Sequence, residues 1–375
     1  MYSPRFTYNN KIINYLNRIE FARGILTQSS IIPELDATLK NRAFMKSVHA
    51  STAIEGNTLT FEDVGKLYNG QKVIARKNEK QEVLNYIEVL KEIDKIPLKS
   101  KLKEKTVLNI HKEISTNVLR DKFYEGYYRD VEVRVENLQT GEVRYRPPSS
   151  LSVAELMKDL INWINNSNNV PNIIVAGVAH YEFVRIHPFI DGNGRTARAL
   201  TSLILHIRGY DTKKYFTLDE YYDYNRKGYV DALKSADDSG DLTKWLEYFL
   251  EGFLVSILKV EDEIKRLSNK LGHSNDDVNL KESEMRIINF LQNEGKITNR
   301  ETRELFGISS QASHNKLKKL EKNGIITRKG SGRCTYYVLS RIDERLRKRL
   351  MKNRKTVDDS FYLDTYKLDK SIKNY

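Results

Sequence analysis

The stretch His187-Pro188-Phe189-Ile190-Asp191-Gly192-Asn193-Gly194-Arg195-Thr196-Ala197-Arg198 lies between two mostly apolar runs, Val175 to Val184 and Ala199 to His206, each patterned as a helix. Gly192 and Gly194 break the regularity between them. A glycine-rich turn that opens a helix leaves its first amides without intrahelical partners, and with the positive end of the helix dipole these make an anion site. Arg195 and Arg198, three residues apart on the second helix, project from one face toward it. Their planar guanidinium forks suit phosphate oxygens. A carboxylate beside a phosphate is repulsive unless a cation lies between them, so Asp191 implies Mg²⁺. His187 adds the side chain best suited to take a proton near neutral pH. Singly, each feature has an ordinary explanation: a packed histidine, a turn, a solvated helix face. Together they compose a base, a metal carboxylate, a phosphate cradle and two phosphate-binding arginines.

At every fixed position this stretch resembles the signature His-x-Phe-x-(Asp/Glu)-Gly-Asn-Gly-Arg-x-x-Arg of Fic-domain proteins, and the resemblance extends over residues 30–250. The resemblance implies that His187 deprotonates a target hydroxyl and that Asp191 holds Mg²⁺ against the phosphates of ATP. It implies that Gly192, Asn193 and Gly194 cradle the α- and β-phosphates with Arg195 assisting, and that Arg198 meets the γ-phosphate. Thr196 and Ala197 belong to the same nucleotide-binding run. The implied reaction moves AMP onto a Ser, Thr or Tyr hydroxyl of a target protein, or of the chain itself, as pyrophosphate leaves. Phosphocholine and phosphate transfer occur on the same core, and the intact acid-Gly-Asn-Gly-Arg loop argues against the latter. Removal of AMP at the same site stays open.

Upstream, Ser51-Thr52-Ala53-Ile54-Glu55-Gly56-Asn57 ends a helical pattern. Gly56 followed by Asn57 stops a helix, which puts Glu55 in the last turn, against the negative end of the dipole. Either Glu55 is a tolerated solvated residue or a positive partner holds it. The stretch resembles the inhibitory motif (Ser/Thr)-x-x-x-Glu-(Gly/Asn) of Fic proteins whose inhibitory helix precedes the core. That resemblance implies a Glu55–Arg198 pair that displaces the γ-phosphate. It also places a nucleotide-contacting segment after the signature, with Tyr229 in Asn225-Arg226-Lys227-Gly228-Tyr229 as its candidate.

The rest of the chain divides by pattern. Residues 1–100 are expected to be helical and to contain the inhibitory helix at about 45–56, and 101–267 to form the catalytic core. Lys101–Leu119 is expected as one helix, with His111 packed or capping. At 126–148, Val131, Val133 and Val135 alternate ahead of a turn at Asn137–Gly141, and Val143 and Tyr145 follow, which predicts a β-hairpin stopped by Pro147-Pro148. The family resemblance makes this hairpin the flap on which a target segment docks by strand addition. The aromatic run 215–236 is read first as packing. Residues 268–279 are expected as a linker, 280–340 as a winged helix-turn-helix and 341–375 as a basic tail.

In the winged helix-turn-helix the third helix, Ser309–Asn323, would enter a major groove. Ser310, Gln311, Ser313, His314 and Lys316 would face bases or phosphates, and Arg328, Lys329 and Arg333 would lie in the wing. From Lys281 to Leu350 there are 17 Lys and Arg against 8 Asp and Glu, most of the whole chain's net +13. That concentration favours double-stranded DNA as a partner, although winged helices also dock proteins. Composition bounds the rest. With 375 residues, 39% hydrophobic and 30% charged, a chain of two or three folded domains is expected. No apolar run reaches the ~20 residues of a membrane helix, so no membrane partner is expected. The single cysteine, Cys334, excludes an internal disulfide and points to the cytoplasm. No histidine or carboxylate stands at zinc spacing around His111, so metal chemistry of the zinc type is not expected in the chain. The expected fold is therefore mainly α, a helical Fic core with a small β-hairpin flap plus a C-terminal winged helix-turn-helix domain. The alternative function is a DNA-binding transcriptional regulator whose Fic core senses nucleotide or modifies itself; a homodimer is left open.

Overall fold

The computed structural model describes residues 2–28, 33–136, 143–210, 214–270, 287, 290–291, 296–322, 325–332 and 335–339, and divides into two compact units, Met1–Asp262 and Glu263–Tyr375. The first is mainly helical. Its N-terminal part is α1 (Asn10–Gln28), α2 (Pro33–Ile54), α3 (Phe61–Tyr68) and α4 (Lys77–Lys95). Then come α5 (Glu104–Ser115), strands β1 (Val135–Glu136) and β2 (Val143–Tyr145), α6 (Val153–Asn166), α7 (Asn172–Ile186) and α8 (Asn193–Ile207). The short α9 (Asp219–Tyr224), α10 (Arg226–Ser239) and the long α11 (Thr243–Lys270), which runs on past the boundary between the units, complete it.

The centre is α7, apolar on every side. Ile173, Ile174, Val175, Ala176, Val178, Ala179 and Phe183 are all fully buried, as a helix surrounded by other helices must be. Gly177 lets α11 approach, since a side-chain carbon there would fall 2.9 Å from Leu246 and 3.0 Å from Phe249. Trp245 Nε1 donates to Gly177 O at 2.8 Å. Aromatic residues fill the space beside it, with Tyr222 stacked on Tyr229 at 4.7 Å, Tyr222 near Tyr248 and Tyr229 near Trp245.

Two expected elements are shorter than their patterns. The helix expected over Lys101–Leu119 spans Glu104–Ser115, because Asn85 Nδ2 takes the Ile114 and Thr116 carbonyls (3.1 and 2.7 Å) and Asn117 turns left-handed at φ 59°. Among the described residues the hairpin pairs antiparallel at Val135↔Tyr145 and Glu136↔Val143. Continued past Val135, that register would bring Val133 opposite Pro147 and Glu132 opposite Pro148, which have no N–H to donate, so the ladder cannot extend. The expected turn at Asn137–Gly141 lies outside the described residues.

The second unit is built on helices Asn299–Phe306 and Ser310–Lys322 and on β3 (Ile326–Lys329), which pairs antiparallel with β4 (Tyr336–Leu339). Thr298 and Glu301 form a reciprocal capping box at the start of the first helix, and Gly307 ends it left-handed. Ile297 bridges to Tyr337. Ile287, Leu291, Ile297, Leu317, Leu320, Ile326 and Tyr337 form the unit's core, flanked by Phe290, Phe306 and Ile325. Of the helix expected before it, only Ile287, Phe290 and Leu291 are among the described residues, and all three are helical. Ser313 departs from expectation: it is fully buried and its hydroxyl donates to Asn299 O, so it braces the two helices instead of facing outward. Gln311, His314, Arg328 and Lys329 are exposed and Lys316 lies over the Phe306 ring at 5.4 Å; Arg333 is outside the described residues.

Candidate active site

The signature loop joins α7 to α8, and much of its backbone is held by the protein itself. His187 closes α7 in the left-handed region (φ 51°, ψ 58°), with its N–H on Phe183 O at 3.0 Å. A non-glycine residue there costs about 1 kcal/mol, and Pro188 stops the helix behind it. Asn193 bridges the loop, accepting from Phe189 N (2.9 Å) and donating to Phe189 O (2.8 Å). His111 stacks flat on the Phe189 ring, centroids 3.6 Å apart and planes within 2°. His111 Nδ1 accepts from Gly126 N at 3.0 Å, which leaves Nε2–H to donate to Asp191 O at 3.0 Å. Burial pushes this imidazole down to about 4, so it is neutral and its two roles are fixed.

α8 begins at Gly192, whose φ of +78° suits glycine alone. The first rung of its ladder is Thr196 N to Gly192 O (3.0 Å), so the amides of Asn193, Gly194 and Arg195 precede it and face the loop's concavity. Thr196 and Ala197 are fully buried, and the Thr196 hydroxyl donates to Gly192 O. Only their backbone can take part in binding. Arg195 is 4% exposed and pairs through Nη1 with Glu82 Oε1 at 3.1 Å, while its Nε has no hydrogen-bond partner among the described residues. An orphaned, buried guanidinium donor beside a helix N-terminus is what a phosphate oxygen requires.

Arg198 is 1% exposed and fully engaged. Its Nε donates to Ser51 Oγ (2.7 Å), and Nη2 donates to Ser51 O (2.8 Å) and Glu55 Oε1 (2.7 Å). Glu55 lies just past the end of α2, where Gly56 turns left-handed at φ +95°. The next residue, Asn57, fastens this turn to α4 by donating to Glu79 O and Glu82 Oε2 (2.9 and 2.8 Å). A side-chain carbon on Gly194 would run into the Glu55 carboxylate. The carboxylate therefore sits over the N-terminus of α8, where an anion belongs. Burial pushes the Glu55 carboxyl up, but Arg198 and then Arg195 outweigh it and hold it below the ordinary glutamate range. Arg198 thereby stays charged, its value raised chiefly by Glu55 against burial.

His187 Nδ1 lies 3.3 Å from Val184 O, so its proton is on that nitrogen and Nε2 keeps the lone pair. Burial first, then the Arg129 charge, lower its value below the ordinary imidazole, with Glu55 and Asp191 opposing. Asp191 has a side chain 61% exposed, with Oδ1 accepting from Gly192 N at 2.6 Å. Among the described residues no three His, Cys, Asp or Glu side chains are grouped to hold a metal. Mg²⁺ is commonly held by one or two carboxylates plus substrate phosphates, and an exposed Asp191 beside the phosphate cradle fits that pattern.

Tyr229 is only 7% exposed. Thr201 donates its hydroxyl proton to Ala197 O, so it accepts from His180 Nδ1–H at 2.9 Å, and His180 Nε2 accepts from Tyr229 at 2.8 Å. His180, pushed down to about 3 by burial and Arg198, is a neutral link in this chain. Tyr229 also has Arg198 as a polar neighbour. In this arrangement its hydroxyl backs the arginine and is not open to a ligand. Glu82, His180 and Arg129 are site residues that sequence reasoning missed. Arg129 was the most accessible of them, an arginine set between Tyr127-Tyr128 and a run of alternating valines.

Models of two families match the chain: the Fic/DOC family over residues 101–205, and a winged helix-turn-helix DNA-binding family over residues 280–327. The protein adenylyltransferase Fic of Drosophila grimshawi is 33% identical over 189 residues, 48% of this chain and 37% of its own length. The protein adenylyltransferase fic-1 of Caenorhabditis elegans is 30% identical over 244 residues, 61% of this chain and 43% of its own. The chain thus spans less than half the length of these curated relatives. Among solved structures, a Fic family protein from Desulfovibrio desulfuricans superposes with a TM-score of 0.61 at 23% identity, covering 91% of this chain and 99% of that one, a likeness of fold. Fic-1 of C. elegans superposes with a TM-score of 0.56 at 25% identity, covering 68% of this chain and 74% of that one. Within the helical unit, the segment from Lys101 to Leu205, which carries His187, Asp191, Arg195 and Arg198, is a domain of the Fic/DOC family.

Proposed function

We propose that this protein transfers AMP from ATP to a hydroxyl of a protein, its own or a target's, and that Glu55 restrains the reaction. The observation that carries the reading is the Glu55 carboxylate, 2.7 Å from Arg198 and seated at the opening of α8. A carboxylate held in a phosphate's place marks both the kind of ligand the site takes and the device that limits it. The names of the relatives, protein adenylyltransferases, support the reaction class.

In the proposed reaction the amides at the start of α8, with Arg195, hold the α- and β-phosphates. His187 Nε2 receives the proton of the attacking hydroxyl, while Nδ1–H on Val184 O keeps the ring oriented. The hydroxyl oxygen bonds to the α-phosphorus, the bond to the bridging oxygen breaks opposite it, and pyrophosphate departs. Mg²⁺, held at Asp191, would neutralise phosphate charge. With Glu55 in place Arg198 is occupied, so the γ-phosphate cannot reach it and the chain of phosphates is misaligned for in-line attack. The β1–β2 flap, a sheet of two strands among the described residues, would supply the surface for an extended target segment.

The test is labelled ATP with Mg²⁺, comparing the wild type with Glu55→Gly and with Glu55→Gly/His187→Ala, and mass spectrometry of whatever is labelled. The single variant should transfer at least about tenfold faster than wild type, equivalent to about 1.4 kcal/mol of barrier. The double variant should be silent. Equal rates for wild type and Glu55→Gly would refute the restraint, and no transfer by any form would refute the reaction.

A second reading concerns the other unit. The family match at 280–327 and the excess of Lys and Arg there support binding of double-stranded DNA. It is compatible with the first, because the two readings use different units.

A further inference from the structure

A helix leaves its last four carbonyls without intrahelical partners. At the end of α7, which carries the candidate base, His187 itself meets the Phe183 and Val184 carbonyls, and the last two, with those of His187 and Pro188 beyond them, are met from the flap. Tyr145, in β2, donates its hydroxyl to Arg185 O at 2.9 Å. Arg129 donates through Nε to His187 O (2.8 Å) and through Nη2 to Ile186 O (3.4 Å), and its backbone N–H meets Pro188 O (2.9 Å). The same guanidinium reaches both roots of the flap, through Nη1 to Val131 O (3.1 Å) ahead of β1 and through Nη2 to Pro148 O (2.5 Å) after β2. Its side chain is completely buried, and its nearest carboxylate, Glu132, is 3.9 Å away and largely exposed. A cation at a helix C-terminus is favoured by the dipole, and a flat five-donor fork can serve carbonyls in divergent directions, which an ammonium on a flexible stem does poorly.

We propose that Arg129 is a positioning residue that joins both roots of the flap to the left-handed turn of His187, so that seating a target segment on the flap and aligning the base are one mechanical event. The proposal rests on the transfer reading for its catalytic consequence, but not for the coupling itself. It separates two halves of the site. The phosphate cradle of α8 makes no contact with the Arg129 guanidinium among the bonds described above, whereas the base and the flap share it.

The experiment uses the full chain with Glu55→Gly as parent, and Arg129→Lys and Arg129→Gln added to it. Calorimetric affinity for a non-hydrolysable ATP analogue with Mg²⁺ should stay within about twofold of the parent, while the transfer rate falls about thirtyfold or more, the scale of a misplacement near 1 Å. Hydrogen exchange at flap amides 133–136 and 143–146 should quicken roughly tenfold, as local opening becomes easier. A folded variant that transfers at the parental rate, or whose flap keeps parental protection, overturns the proposal. So does a loss of nucleotide affinity in step with the rate, which would mean general damage to the site. Should Arg129→Gln fail to fold, Arg129→Lys, which keeps the charge and loses the fork, carries the same comparisons. A parent without transfer activity refutes the reaction, and the exchange measurement then decides the coupling by itself.

Discussion

Arg198 is a buried cation with several partners, and their unequal character decides what happens when one is removed. Ser51 offers its hydroxyl and carbonyl from inside α2, whereas the Glu55 side chain is one-third exposed at the helix's end. Deleting Glu55 therefore leaves the guanidinium bonded, so the loss of stability is small for a buried pair; solvent screening discounts it further. The expectation is that Glu55→Gly melts within a few degrees of wild type yet gains more from ATP and Mg²⁺ in a thermal-shift titration, up to about 2.7 kcal/mol at a hundredfold excess over Kd. An identical ligand-induced shift in both proteins would contradict it. The pH dependence has a definite sign. Since the His187 value lies below 6.5, the base is already unprotonated at neutral pH, and single-turnover transfer should fall only as pH drops below 6.5. Removing Glu55, an anion that raises the His187 value, should move that acid limb lower still. The latch itself resists acid: with the Glu55 value depressed, its contribution is full above the unfolded glutamate value and vanishes only as pH falls through the folded one.

At the scale of elements, α7 does two things that conflict in most helices. Its middle is packed so closely that only Gly177 admits α11, and its end is held open in a strained turn by side chains from outside the helix. Gly177→Ala should raise intrinsic helix propensity yet lower stability, because Leu246 and Phe249 cannot both retreat; overpacking of this kind costs about 1–3 kcal/mol. Calorimetry should show a fall in Tm of roughly 2–10 °C, and an unchanged or raised Tm would mean the α7–α11 contact yields. The flap shows the opposite economy. Two short paired segments cannot hold themselves together, so their register depends on Arg129 and Tyr145 binding the end of α7.

For the whole molecule, the division into Met1–Asp262 and Glu263–Tyr375 separates the Fic signature loop from a basic winged helix. If the second unit binds duplex DNA, fluorescence anisotropy with the full chain should show binding at low salt that weakens steeply between about 50 and 200 mM, as released counterions require. Gln311→Glu with His314→Glu, both on the exposed side of helix Ser310–Lys322, should weaken it further. Ser313→Ala should act instead through the packing of its own unit, lowering thermal stability, because its hydroxyl is spent on Asn299 O. Binding with no dependence on salt, or none at all, would turn the second reading toward a protein partner.

The family of the signature loop and its turn into a helix were legible in one line of sequence, because a helix start depends on local spacing: two glycines, two arginines three apart and an acid before them. The helix stop at Gly56 was legible for the same reason, and so was the alternation of helix, helix and wing after residue 296. What faces Arg198 was suggested only through resemblance, since no local rule links residues 143 positions apart. One length was misjudged where a distant group intervened, as when Asn85 ended α5. Glu82 on Arg195, His111 on Asp191 and His180 behind Tyr229 had no signature at all, and Arg129 across the end of α7 had only its setting between two tyrosines and a run of alternating valines. Their roles are an ion pair and hydrogen bonds to groups mostly distant in the chain, several of them backbone carbonyls, which look alike in every sequence until the fold brings them together.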